Sequence, residues 1–321
     1  MNRHKLVLFF FLIAILNLNA QDSRSENLVT NYFNNGKECL RANRHNEALA
    51  WFQSALLHDP DNLASLVMAG NSCAGLELYA SAIHYYTQAI NSWDDDIAYN
   101  NLSIAYATLG YDDEALICIK GIDGSHSNKY LCIGGIAERH GDYDKAKKYM
   151  RLDMRRNAKS PVPYYNMGVI SQDLNLLDSA VYYFGKTTEI NPQYALAYVS
   201  KAQAMQLLGK PESEYKDLCL QAIKLTDKNS SGYPDISILA DSYLLLNDKK
   251  NAEKYLNLKL QKLNKFIELY PASYPFLTDR GETYLSMGNK EAAAKDFRRS
   301  LEINPDYVWV RKKLNKLLSE E

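Results

Sequence analysis

Residues 274–305 read YPFLTDRGETYLSMGNKEAAAKDFRRSLEINP. Leu277, Tyr284 and Leu285 fall on one side of a first helix, with Gly281 beside them. Gly288 followed by Asn289 is a stop-and-turn signal. The stretch from Glu291 to Glu302 predicts a second helix, with Ala293, Phe297 and Leu301 recurring on one face. Small residues at Gly281 and Ala293 let the two helices approach closely. Asn304 and Pro305 end the second helix, because the residue before a proline avoids the helical region. One such hairpin has an apolar face and nothing to bury it against, whereas stacked copies bury one another.

The copies lie upstream. Gly36, Ala48, Phe52, Ala55 and Pro60 repeat the order of slots, as do Gly70, Ala82, Tyr86 and Ala89. The second of these lacks its closing proline. The run Trp93-Asp94-Asp95-Asp96 stands in that place and reads as a cap on the next helix, where carboxylates meet free N–H groups. A third copy has Tyr99, Leu102, Tyr106, Gly110 and Ala115, with Ser103 replacing the glycine of the first helix. A fourth has Tyr130, Gly134, Gly141, Tyr143 and Ala146, and a fifth Tyr164, Gly168, Ala180, Phe184 and Pro192. The sixth departs from the pattern. Tyr198, Ala202 and Gly209 fit, but the small slot of the second helix falls to Glu214 or Tyr215. Thr226 to Asp235 is the most loop-like stretch, and a bend or break in the array is expected there. The seventh copy has Ala240, Tyr243 and Ala252, and its second helix runs on through Leu256, Leu260, Leu263 and Ile267. Asp306 to Ser319, with Val310, Leu314 and Leu317 on one face, has the form of a capping helix.

This order of glycine, aromatic, alanine and proline slots, in units of about 34 residues, resembles the tetratricopeptide repeat (TPR). The resemblance implies an all-α fold, a right-handed α-solenoid of about eight helix–turn–helix repeats. They would span 28–62, 63–95, 96–126, 127–160, 161–194, a degenerate 195–232, 233–273 and 274–305, with the capping helix at 306–319. It further implies a non-enzymatic scaffold that binds protein, or an extended peptide segment, in a concave groove lined by the first helices. In some TPR superhelices, amides two residues before the first-helix glycine slot contact the bound backbone. Asn34, Asn101 and Asn166 stand there, while Met68, Cys132, Ser200, Ile238 and Asp279 hold the slot in the other repeats. An amide suits that task because it both donates and accepts. Counting outward from the glycine slots places Lys37, Asn71, Asn100, Arg139, Gln172, Gln203 and Asp241 on the inner face. Val67, Tyr165 and Val199 are the flanking apolar contacts. The set is polar and mixed in sign, so the expected ligand is an internal, extended segment held by neutral hydrogen bonds.

Residues 1–20 are of a different kind. Arg3, His4 and Lys5 precede an apolar run from Leu6 to Leu16, and Ala20 precedes Gln21. That reads as a secretory signal peptide; the run is shorter than the ~20 residues a spanning helix needs. An exported protein is expected, periplasmic or extracellular, with no membrane span after signal removal. The chain carries 37 Lys and Arg against 38 Asp and Glu, which argues against a dominant nucleic-acid or anionic-membrane surface. Hydrophobic content of 46% is that of a folded chain. Tyrosine is abundant at 24, against 9 Phe and 3 Trp, and most tyrosines are expected to fill the aromatic slots. Exposed tyrosines acting as stacking platforms would support the alternative reading, association with a glycan or envelope polymer.

Catalytic chemistry finds no foothold. The five cysteines include no C-x-x-C pair, so neither a zinc nor a redox motif is supported. Cys39 and Cys73 occupy one aromatic slot in consecutive repeats and read as small core residues. Cys118 and Cys132 lie on neighbouring helices, and export makes a disulfide between them conceivable, subject to facing geometry. The six histidines give no metal-ligand spacing, and no nucleophile elbow or phosphate-binding loop occurs. No cofactor, metal or catalytic residue is nominated.

Overall fold

The computed structural model describes residues 25–93, 95–120, 122, 128–227 and 232–319. The expected signal peptide at 1–20, Asp94, His126 and loop positions 228–231 lie outside the described residues. Helices come in pairs: α1 (25–41) with α2 (His45–Leu56), and α3 (Leu63–Gly75) with α4 (Tyr79–Ser92). Next come α5 (Asp96–Leu109) and α6 (Asp112–Lys120), then α7 (Asn128–Arg139) and α8 (Tyr143–Arg156). They are followed by α9 (Val162–Asp173) and α10 (Leu177–Ile190), and by α11 (Ala195–Leu207) and α12 (Glu212–Leu225). The last pairs are α13 (Tyr233–Leu245) with α14 (Lys249–Leu269), and α15 (Tyr274–Ser286) with α16 (Lys290–Ile303); α17 (Val308–Ser319) stands alone at the end. This is an all-α solenoid of paired helices with a terminal helix.

The repeat is written in the backbone. A residue with positive φ stops each first helix: Asn43, Glu77, Gly110, Gly141, Asn175, Gly209, Asn247 and Gly288. A left-handed residue at this point satisfies the last carbonyls and turns the chain. The packing slots follow. A Cβ on Gly168 would lie 2.5 Å from the ring of Phe184, and one on Gly281 would lie 2.6 Å from that of Phe297. Ala180 and Ala293 are fully buried on the facing helices. The sixth repeat inverts the sizes. Tyr215 takes the small slot and is buried, Glu214 is exposed, and Cys219, fully buried, takes the place of the ring. A large residue where the others have a small one, and the reverse one turn on, keeps the volume nearly constant.

The acidic run before α5 does cap it, since the Asp95 carboxylate accepts from the Ala98 amide at 2.8 Å. The Trp93 indole donates to the Asp61 carbonyl at 2.7 Å. At the far end Val310, Leu314 and Leu317 of α17 cover Ala293, Ala294 and Phe297 of α16. The cysteines are thiols, so Cys118 and Cys132 form no disulfide.

The chain divides into two compact units, residues 1–105 and 106–321, and the division falls inside α5. The bend or break expected near 226–235 is therefore not where the chain divides. Val199, Ala202, Tyr215, Cys219 and Ala222 of α11 and α12 share one core with Ile238 and Leu245 of α13, so packing continues past that loop. The helix that follows, α14, runs for 21 residues.

Within the second unit the last repeat returns to the first. The Tyr274 hydroxyl donates to Asp112 at 2.6 Å across 162 positions of sequence. Asp112 also receives the Arg139 guanidinium and, at 3.1 Å, Nε2 of His140. Gly110 and Gly141 are the turn glycines against which this return packs. A Cβ on Gly110 would lie 2.7 Å from Pro275, and one on Gly141 would lie 2.5 Å from Val308. Both have positive φ, so glycine serves conformation and close approach at once. Gly209 and Gly288, at the equivalent turns, have nothing within 4 Å.

Candidate functional site: the inner faces of the first helices

The candidate residues divide between the two units, and each unit presents a different chemistry. In the first unit, Asn71 on α3 and Asn101 on α5 come together. The Asn101 Nδ2 donates to Asn71 Oδ1 at 2.9 Å, and the Tyr86 hydroxyl donates to the same oxygen at 2.7 Å. Asn100 Nδ2 donates in turn to Asn101 Oδ1 at 3.2 Å. These bonds fix both amide orientations. Each carbonyl oxygen is engaged, and Asn71 Nδ2 has no closer partner than the Met68 sulfur at 3.8 Å. A row of N–H donors on neighbouring first helices is left to meet an acceptor.

Asn100 itself is 6% exposed, which removes it from the groove set. One step along a helix turns a side chain by about 100°, and here that step carries it inward. Asn34 is exposed and joins none of these bonds, and Lys37 is half-buried with Nζ 5.4 Å above the Phe33 ring. Tyr86, whose phenol burial pushes well above its ordinary range, was read from sequence as core alone. It is core by its ring and a second-helix partner of Asn71 by its hydroxyl.

In the second unit several of the candidate side chains are engaged by the chain itself. Arg139 is held by Asp112, with its guanidinium 5.9 Å over the Tyr274 ring, so it is not an open groove cation. Tyr165 stacks on Tyr194 at 5.4 Å and reaches Ser200 Oγ at 3.2 Å. Asn166 borders a cavity of about 50 Å³ with Gly134, Gly135, Glu138 and Met150, and its Nδ2 lies 3.7 Å from the Met150 sulfur. Gln172 and Gln203 are half-buried on α9 and α11.

Carboxyl groups line this face, and burial raises their pKa values. Asp241 is raised by burial against the pull of Lys259. Asp279, which accepts from the Tyr233 hydroxyl at 2.9 Å, is raised in the same way. Glu138 lies well above the ordinary value through burial and the neighbouring Asp173. Asp173 is raised by burial, while its hydrogen bond to Glu138 and the charges of Lys312 and Lys313 pull the other way. We take Glu138 as the member of the pair that keeps the proton. Rings here also face each other: Tyr243 and Tyr255 stack at 5.7 Å, and Tyr130 and Tyr149 at 5.9 Å.

Sequence reasoning missed Asp112 and Tyr274 as partners, and nothing in the sequence pairs positions so far apart. Among the described residues no group of His, Cys, Asp and Glu could hold a metal ion, and no helix is long and apolar enough to cross a membrane.

Comparison with known proteins agrees with this architecture. Residues 274–307 match the family model described as tetratricopeptide repeat. The uncharacterized protein MJ0572 of Methanocaldococcus jannaschii is 37% identical over 59 residues, 18% of this chain and 69% of that protein. A tetratricopeptide repeat protein from Parabacteroides merdae superposes with a TM-score of 0.50 at 15% identity, covering 91% of this chain and 99% of that one. PilW, a type IV pilus biogenesis factor, superposes at 0.54 with 18% identity, over 62% of this chain and 95% of PilW. A human IFIT1 dimer with PPP-AAAA also gives 0.54, at 16% identity, over 81% of this chain and 69% of that one. At such identities the likeness is one of fold. With eight left-handed turns, paired helices and a repeat that matches the family model, the chain has an all-α, TPR-like repeat fold.

Proposed function

We propose that the chain is a non-enzymatic scaffold that holds an extended protein segment along the first helices of its first unit. The observation that carries this reading is the bonded pair Asn71–Asn101, set by Tyr86. Its amide N–H groups stand on successive repeats, and an amide N–H is a donor that a peptide carbonyl can accept from. Neutral hydrogen bonds of this kind contribute about 0.5–1.5 kcal/mol each, so affinity arises from several of them together with apolar contacts beside them. The reading also includes export to the cell envelope or beyond, supported by the composition of residues 1–20. In the second unit Arg139, Tyr165 and Asp241 are engaged by the chain itself, so the first unit offers the freer surface.

The test is selection from a displayed peptide library on the full chain, beside Asn71→Ala/Asn101→Ala. Peptides enriched on the native chain and lost on the double variant support the proposal. An identical set of peptides on both proteins defeats it. Intact mass of the exported protein tests location: a chain beginning at Gln21 agrees, and retention of Met1 to Ala20 contradicts.

A further inference from the structure

The second unit carries a surface that the groove reading does not use. Helix α8 reads YDKAKKYMRLDMRR. Lys145, Lys148, Arg151 and Arg155 are exposed along it, and among the described residues none of the four has an ion-pair partner. Two acids lie in the same helix, and neither neutralises this stripe. Asp144 pairs with Lys147 at 3.0 Å, and Asp153 is turned into the core at 1% exposure. Among the other second helices α16 comes nearest, with Lys290, Lys295, Arg298 and Arg299, of which Arg299 pairs with Glu302 at 2.8 Å. Helices α2 and α4 contain no Lys or Arg, and the single lysine of α10, Lys186, pairs with Glu189 at 2.6 Å. Helix α14 is also basic, but it spreads its lysines over 21 residues and turns Lys259 toward Asp241 and Asp279.

We infer that the outward face of α8 is a docking surface for an extended acidic protein segment. Geometry sets the form of the partner. Arg151 and Arg155 are four residues apart, a rise of about 6 Å on a helix. Alternate residues of an extended chain are about 6.6 Å apart. Carboxylates at alternate positions therefore fall in step with the stripe, and each planar arginine fork donates two parallel N–H bonds to a carboxylate. From Lys145 to Arg155 the stripe is about 15 Å long, enough for about three such carboxylates.

Two other anionic partners fit less well. A single nucleic-acid strand needs open aromatic faces on which its bases stack. Here Tyr130 and Tyr149 stack on each other, and Arg156 and Lys148 lie over their rings at 5.4 Å and 5.9 Å. A membrane surface calls for apolar side chains that enter it, and the large exposed apolar residues of the described chain include none from α8.

The experiment is fluorescence anisotropy of a labelled alternating Glu-Ser peptide with the full chain, beside Arg151→Glu/Arg155→Glu. Both positions are exposed, and circular dichroism verifies that the variant keeps its helix content. The native chain binds the peptide at low salt. The variant binds it at least about tenfold more weakly, and raising salt from about 0.1 M to about 1 M abolishes binding as the screening length falls from ~10 to ~3 Å. An alternating Lys-Ser peptide shows the opposite preference, which a merely damaged fold would not produce. Absence of binding to the native chain, equal binding by the variant, or tighter binding of an oligothymidylate or of phosphatidylglycerol vesicles overturns the proposal.

Discussion

Replacing Gly110 with Ala strikes the contact by which the second unit closes on itself. The new Cβ would lie 2.7 Å from Pro275 and 2.8 Å from the Tyr274 ring, so one of them must move. Gly110 also has φ of +82°, where alanine is strained by about 1–2 kcal/mol. Gly288 separates the two effects. It has φ of +80° with nothing within 4 Å, so Gly288→Ala incurs the backbone cost alone. Forcing atoms into the Tyr274 contact adds about 1–3 kcal/mol. Gly110→Ala should therefore lose about 2–5 kcal/mol, against about 1–2 for Gly288→Ala. Guanidinium melts measure the difference, and hydrogen exchange locates it: the amides of α15 from Leu277 onward, the first of which bonds to the Ser273 carbonyl, should lose protection in the Gly110 variant alone. Tyr274→Phe keeps the ring and removes the hydroxyl bonded to the Asp112 carboxylate, a loss of about 1.5–3 kcal/mol. Equal destabilisation by the two alanines, with α15 protection unchanged, would refute the closure.

The inverted sixth repeat predicts a non-additive pair. Tyr215→Ala should cost about 3–5 kcal/mol by leaving a cavity, and adding Cys219→Phe should recover part of it by restoring the common order of sizes; chemical melts that show simple addition would contradict the swap. Asp153 predicts a pH effect. It is 1% exposed with Oδ1 unpartnered, and burial raises its pKa above the ordinary 3.8. The folded chain thus binds this proton more tightly than the unfolded one, so the stabilisation is full below 3.8 and is lost as pH rises through the raised value. Thr187 fills the equivalent slot of α10 and donates to the Tyr183 carbonyl at 3.0 Å. Asp153→Thr should accordingly melt higher at neutral pH and flatten that decline; an unchanged pH profile would count against it.

The fold was legible because its information is local and repeated. Gly281, Ala293, Phe297 and Pro305 state the rule, and seven further copies, Gly168 with Phe184 among them, supply the register. Where one copy broke the rule, the neighbours still located it, although residue order alone left Glu214 and Tyr215 as equals. Burial separated them, because tyrosine fills space that a charged glutamate cannot enter without a partner. The placement of the candidate residues was legible in part. Asn71 and Asn101 lie on adjacent first helices, and repeat spacing is enough to bring both to one face. Asn100 is buried because it stands one residue from Asn101, and one residue is a change of face. Arg139 is held within the chain for a different reason. Its partners Asp112 and Tyr274 are set by how the second unit curves back, a sum of small rotations between repeats that no single repeat encodes.

The most direct test of the scaffold reading is a titration of one selected peptide into the full chain by calorimetry, at low and high salt, beside the double variant Asn71→Ala/Asn101→Ala. The account predicts a loss of about 1–3 kcal/mol for the two amides, or roughly five- to 150-fold in Kd, with little change between about 0.1 and 1 M salt because the bonds are neutral. Full affinity in the double variant, or affinity that collapses with salt while the amides prove irrelevant, would contradict it.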